Sequence, residues 1–214
     1  MPLLLLDLDN TLVDRAAALR RWAGEYVDAL GAPPEDVEWL IAADRDGFEN
    51  REVLAAAIRE HFGLDPTGQA EVLEILRGGL VENLVLDPAV PEKLVAARAA
   101  GWIPVAVTNG TVQQQERKLR HTGLDRYLSG WVISEGAGIR KPDARIFQLA
   151  AERVGQATDG AWMIGDSAAA DIGGAHNAGL CSIWLHRGRP WPDLDFTPTA
   201  LAGSVAEAIA TVIA

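Results

Sequence analysis

Leu3-Leu4-Leu5-Leu6-Asp7-Leu8-Asp9-Asn10-Thr11-Leu12-Val13-Asp14 is the stretch that decides how the rest of the chain is read. Four consecutive leucines suffice for a buried strand and fall far short of a membrane span. An unbroken apolar run suits a strand covered on both faces, as in a parallel sheet. Asp7 and Asp9 follow at its carboxyl end. In an extended chain, side chains two apart point the same way, so the two carboxylates are expected to project together. Such a pair repels unless a cation or a shared proton intervenes. Turn chemistry offers a plainer account, because Asp, Asn and Thr all favour turns and helix caps. The remainder of the chain decides between the two.

Beyond residue 86 the pattern alternates. Ile103-Pro104-Val105-Ala106-Val107 is a second apolar strand, ending at Thr108-Asn109-Gly110. Trp131-Val132-Ile133 is a third. Ala161-Trp162-Met163-Ile164 is a fourth, ending at Gly165-Asp166, and residues 180–185 make a fifth. Helices are expected from Pro91 to about residue 100, then over about 111–122, 145–154, 168–178 and 204–213. Alternation of this kind predicts an α/β fold, a parallel sheet with helices on both faces.

Between the first two strands lies a block with no strand signal. Leu19, Trp22, Ala23, Tyr26, Val27 and Leu30 fall at helical spacing, and Gly31, Pro33 and Pro34 stop that helix. Shorter apolar stripes at Val37, Leu40 and Ile41, at Val53, Leu54, Ile58 and Phe62, and at Val72, Leu76 and Leu80 predict three more. The expected organisation is an α/β core of residues 1–14 and 87–214, with residues 15–86 inserted as an all-helical domain.

Composition bounds the function. The 214 residues are 49% hydrophobic, enough for a full core. A net charge of −11 argues against nucleic-acid or anionic-membrane partners, whose phosphates need Lys and Arg. Cys181 is the only cysteine, and its strand-like neighbours predict a buried, inert thiol. The expected setting is the cytoplasm, as a monomer or homodimer, with a small molecule as partner.

Ligands of parallel sheets bind beyond the carboxyl ends of the strands. The polar residues expected there are Asp7 and Asp9, Thr108 and Asn109, Asp166 with Asp171, and Lys141 from the loop after the third strand. Asp7, Asp9 and Asp166 offer hard oxygen ligands of the kind Mg²⁺ takes. The four histidines show no zinc-like spacing. A metal among carboxylates, with a hydroxyl and a lysine, suits a phosphoryl group. Thr108 and the amides of Asn109 and Gly110 can hold its oxygens. One carboxylate can attack phosphorus while the second handles protons.

These motifs resemble, in order, those of the haloacid dehalogenase superfamily of phosphotransferases. Asp7-Leu8-Asp9-Asn10-Thr11-Leu12 is similar to its first motif, Thr108-Asn109-Gly110 to its second, Lys141-Pro142 to its third, and Gly165-Asp166-Ser167-Ala168-Ala169-Ala170-Asp171 to its fourth. The resemblance implies a Rossmann-like core with a helical cap at residues 15–86. It implies Asp7 as nucleophile, Asp9 as acid and base, and Lys141 as positioning cation. It implies Thr108 as a phosphoryl ligand. It implies Mg²⁺ held by Asp7, the main-chain carbonyl of Asp9 and Asp166, with Asp171 in support. Asn10 stands where glycine is frequent, and Asn tolerates the same left-handed turn.

The implied activity is a Mg²⁺-dependent phosphatase that hydrolyses a small phosphorylated metabolite through an aspartyl phosphate. A sugar phosphate, a nucleotide or a similar phosphomonoester fits. Three alternatives stay open: a phosphomutase of the same fold, a 2-haloacid dehalogenase and a non-catalytic phosphate-binding protein. Dehalogenation would leave Asp9 without a task. Arg45 or Arg51, in the polar stretch 44–51, is a candidate for the far end of a substrate, and Arg187 for the rim. The plainer account of residues 44–51 is a solvated loop with local ion pairs.

Overall fold

β1 (Leu3–Leu6) is fully buried at all four leucines, so it needs partners on both edges and layers on both faces. It has the edge partners: Ile103–Thr108 lies parallel on one side and Trp162–Gly165 parallel on the other. The computed structural model describes residues 1–214, apart from the side chain of Pro66. The chain divides into two compact units, Met1–Val13 with Leu86–Ala214, and Asp14–Val85.

The Asp14–Val85 unit carries α1 (Arg15–Leu30), α2 (Asp36–Asp44), α3 (Arg51–His61) and α4 (Gln69–Glu82). Asp14 begins α1 by accepting the Ala17 amide, and Gly31 ends it in the left-handed conformation. Asn50 begins α3 by accepting the amides of Glu52 and Val53. The inward stripes meet in a core that includes Leu19, Trp22, Leu40, Leu54, Ile58 and Leu76. Asp44, at the end of α2, is wholly buried and paired. Arg15 donates to both of its oxygens at 2.8 and 2.6 Å, and Arg51 donates to Oδ1 at 2.6 Å. Arg51 also donates to the Gly47 carbonyl at 3.0 Å. Arg15 and Arg51 therefore tie the 44–51 loop down. The two guanidiniums outweigh the effect of burial and hold the Asp44 carboxyl below its usual range.

In the other unit, β1 is followed by α5 (Ala89–Ala99), β2 (Ile103–Thr108), α6 (Val112–Thr122), β3 (Gly130–Ile133) and α7 (Ser134–Ala137). Then come α8 (Arg145–Arg153), β4 (Trp162–Gly165), a π-helical turn (Ala168–Ile172), α9 (Gly173–Ala178), β5 (Cys181–Leu185), β6 (Ala200–Ala202) and α10 (Val205–Ile213). The sheet order is β3-β2-β1-β4-β5-β6, parallel throughout. The order reverses at β1, which puts the crevice of a doubly wound sheet at its carboxyl end. Leu3, Leu5, Val105, Val107, Val132, Phe147 and Met163 share one core on one side of the sheet.

Several expectations need correction. Extended backbone ends at Leu6, and the next residues wind into a turn in which Asn10 has φ 58°. The helix expected over 168–178 is a π-helical turn followed by α9. β6 and α7 are additional; each is too short for a periodic signal. Cys181 is exposed, because it is the first residue of β5 and only the later residues enter the core. Among the described residues no helix is long and apolar enough to cross a membrane.

Candidate active site

The site lies where β1, β2 and β4 end. Pairing of Leu6 with Ala106 and Ile164 puts Asp7 near the ends of both neighbours, one residue beyond Ala106 and Ile164 in register, and the Asp7 amide donates to the Ile164 carbonyl at 2.9 Å. Asp166 leaves the end of β4. Asp171 returns from the π-helical turn, its Oδ2 accepting the Ser167 amide at 2.9 Å. One carboxylate oxygen each of Asp7, Asp166 and Asp171 lies within 4.8 Å of the others. All three residues are buried.

Lys141 enters the same cluster. Its Nζ is 2.6 Å from Asp7 Oδ1, 2.7 Å from Asp171 Oδ1 and 2.6 Å from the Val107 carbonyl. The side-chain amide of Asn109 holds the Lys141 backbone from both sides, donating to its carbonyl at 3.0 Å and accepting its amide at 2.9 Å. Asn109 thus acts on the cluster by fixing the lysine.

Asp9 goes elsewhere. Lys118 Nζ lies 2.7 and 2.6 Å from its two oxygens, and Gln115 Nε2 lies 3.0 Å from Oδ2. The chain turns between Asp7 and Asp9, and the donors that hold Asp9 differ from the lysine that holds Asp7. Their carboxylates have separate sets of partners, and the cluster of three acids contains Asp7, Asp166 and Asp171. Thr108 Oγ1 is buried and accepts from Gln115 Nε2 at 2.6 Å. The Gly110 amide donates to Ser134 Oγ at 3.0 Å.

Residues 1–179 match the profile of the haloacid dehalogenase-like hydrolases. The chain belongs to that family. It is 30% identical to a phosphoserine phosphatase of Thermus thermophilus, over 97% of each chain. It is 39% identical to a pyrimidine 5'-nucleotidase of Streptococcus pneumoniae, over 86% of this chain and 83% of the relative. The solved structure of a family hydrolase of Bacillus subtilis, at 23% identity, shares the fold with a TM-score of 0.71 over 99% of this chain and 98% of that one.

In this haloacid dehalogenase-like hydrolase the charges explain the proton affinities. Burial pushes the Asp7 carboxyl up to about 8; Lys141 opposes the rise and Asp171 adds to it. One ammonium is shared between carboxylates, so it does not neutralise the group. Burial works against the charge of Lys141, but Asp171 and Asp7 outweigh it and its pKa rises. Asp166 is pushed up to about 6 by burial and by Asp171, against the pull of Arg187 and Arg189. Arg187 Nη1 lies 3.1 Å from Asp166 Oδ2, in a left-handed residue with φ 48°. Arg189 Nη2 reaches the Asp166 carbonyl at 2.7 Å and Oδ2 at 3.2 Å.

Sequence reasoning missed Gln115, Lys118 and Arg189. For the first two a signal existed. Leu119 marks the inward stripe of α6, and residues 115 and 118 fall on that stripe by helical spacing. Two polar residues on a buried stripe need partners. For Arg189, in a loop without periodicity, none existed.

Proposed function

We propose that this hydrolase is a Mg²⁺-dependent phosphatase of small phosphorylated metabolites, acting through an aspartyl phosphate on Asp7. A sugar phosphate, a nucleotide or a similar phosphomonoester is the substrate class. One observation carries the reading. Asp7 sits in a buried acidic cluster beside Lys141, while Asp9 is held apart by a different set of donors. Two carboxylates with different surroundings suit two different roles. The names of the phosphatase and the nucleotidase among its relatives support the same class.

The donor set fits a hard dication. Three carboxylates converge within 4.8 Å; Lys141 is shared between Asp7 and Asp171, and Arg187 and Arg189 reach only Asp166, from the more exposed rim, so hard oxygen donors stay gathered around one point. Asp7, Asp166 and the main-chain carbonyl of Asp9 would hold Mg²⁺, with Asp171 in support. Bound there, the ion would neutralise phosphoryl oxygens and favour the charged form of Asp7.

In the first step a carboxylate oxygen of Asp7 forms a bond to phosphorus, and the bond from phosphorus to the leaving oxygen breaks. Asp9 gives its proton to that oxygen. In the second step water attacks phosphorus, Asp9 takes the water's proton, and Asp7 and phosphate are released. Lys141 balances the charge on the nucleophile and on the transferring oxygens. Thr108 and the Asn109–Gly110 turn hold those oxygens. Residues 15–86 serve as a cap that selects among metabolites. A cytoplasmic setting belongs to the same reading.

Hydrolysis of p-nitrophenyl phosphate tests the core of it. Activity should require Mg²⁺, vanish with a chelator, and fall to background in Asp7→Asn while circular dichroism shows an intact fold. Turnover that survives the chelator would remove the metal from the reading. Substantial turnover in Asp7→Asn would mean that water attacks directly. A panel of phosphorylated metabolites then identifies the substrate.

A further inference from the structure

Gln115 and Lys118 are nearly inaccessible to solvent, at 2% and 5% exposure. A buried ammonium and a buried amide cost several kcal/mol in lost hydration unless they are paired. Leucine at either place would continue the apolar stripe of α6 begun at Leu119. The partners these residues have are not those of a structural staple within the helix. Both reach Asp9, 106 and 109 positions away in sequence, and Gln115 also reaches Thr108 at the end of β2.

The geometry is that of a bracket. Lys118 Nζ spans both oxygens of Asp9 at 2.7 and 2.6 Å. Gln115 Nε2 divides its donors between Asp9 Oδ2 at 3.0 Å and Thr108 Oγ1 at 2.6 Å. Gln115 has room for this position because Gly110 carries no side chain. A β-carbon there would stand 2.9 Å from Gln115 Cγ and Cδ. The end of β1, the end of β2 and the first turns of α6 are thus joined through two side chains.

We propose that Gln115 and Lys118 are positioning residues that aim the Asp9 carboxyl for proton transfer and lock its direction to Thr108. The inference rests on the reading of Asp9 as acid and base. Neither residue gains or loses a proton over the cycle. Lys118 and Gln115 hold the carboxyl by one side, so that the proton it carries faces the departing oxygen. A misaimed acid still leaves the nucleophile and its cluster in order. The damage therefore grows with the need of the leaving group for a proton.

The test is kcat/KM across aryl phosphates, from p-nitrophenyl, whose phenolate leaves unaided, to phenyl, whose phenolate is more basic. Asp9→Ala sets the upper limit, with an excess loss on phenyl phosphate of up to ~10²–10⁴-fold. Lys118→Met should show the same steepening, with an excess loss of roughly 10–100-fold, the scale of a misplaced group. Gln115→Leu should steepen less, and Lys118→Arg should restore much of the loss. Gln115→Leu and Lys118→Arg carry the test if Lys118→Met fails to fold. Steepening in Asp9→Ala but equal losses on both substrates in the Lys118 and Gln115 variants overturn the inference alone. Equal losses on both substrates in Asp9→Ala overturn the acid and base reading together with the inference.

Discussion

Lys141 Nζ lies 2.6 Å from Asp7 Oδ1, with the lysine only 3% exposed. The same ammonium is 2.7 Å from Asp171 Oδ1. A buried cation between two buried carboxylates cannot be removed without leaving their charge uncompensated. Loss of one partner of a buried pair costs about 3–5 kcal/mol. Lys141→Met should therefore abolish turnover and lower the urea midpoint strongly. Added Mg²⁺ should recover part of that midpoint, because a dication supplies the charge the lysine gave. No recovery at millimolar Mg²⁺ would mean that the three acids do not bind the ion.

Proton linkage follows from the same cluster. The Asp7 carboxyl rises from 3.8 to about 8 on folding, and Asp166 from 3.8 to about 6. Between those values the folded, metal-free chain holds protons that the unfolded chain has lost. The stabilisation is complete below pH 3.8 and is lost as pH rises towards about 8. Other groups titrate too, so the comparison is with Asp7→Asn, whose stability should depend less on pH from 5 to 8. Metal binding must displace these protons. Apparent Mg²⁺ affinity should rise with pH up to about 8, and calorimetry in two buffers of different ionisation enthalpy should show proton release. A pH-independent affinity would contradict the proton held on Asp7.

In the helical unit, Gly79 sits under Trp22. A β-carbon on it would stand 1.9 Å from Trp22 Cδ1 and 2.3 Å from Nε1. Alanine would gain about 1 kcal/mol in intrinsic helix preference in α4. Overpacking a core costs about 1–3 kcal/mol, and here the obstacle is a rigid indole in the centre of the unit. Gly79→Ala should lower stability by up to about 2 kcal/mol net in urea melts, with a changed near-ultraviolet signal from the tryptophan. Gly24→Ala in α1 is the control, because nothing lies within 4 Å of its added carbon.

The sheet was legible because each inner strand is an apolar run with a polar stop, and because the helices between them carry periodic stripes. The wound turn after Leu6 was legible only in part. The resemblance marks Asn10 as a left-handed position, and it has φ 58°, but nothing local says that extended backbone already ends at Leu6. The 44–51 stretch looked like a solvated loop. The burial of Asp44 depends on Arg15, 29 residues away, and such a pairing leaves no local pattern. The bracket on Asp9 was legible in principle from the register of α6. Reading it requires asking what a buried Lys118 would pair with.

Gly165 shows how a residue without a side chain shapes the acidic cluster. Its backbone is not in the left-handed region, so conformation does not require glycine there. Space does. A β-carbon would stand 2.2 Å from Asp171 Oδ2, 2.3 Å from its Cγ and 2.6 Å from its Cβ. Asp171 is wholly buried and cannot swing into solvent. It must leave either the Ser167 amide at 2.9 Å or Lys141 at 2.7 Å. Gly165→Ala should therefore weaken Mg²⁺ binding by at least ~10-fold, the scale seen when outer partners of a metal site are disturbed. The loss should read out in calorimetry as well as in turnover. A double-mutant cycle isolates the cause, since Asp171→Gly removes all three atoms that the new methyl would strike. In that background Gly165→Ala should change metal affinity little further. A full additional loss would show that the methyl acts on the Asp166 loop directly, and that Gly165 does not serve to make room for Asp171.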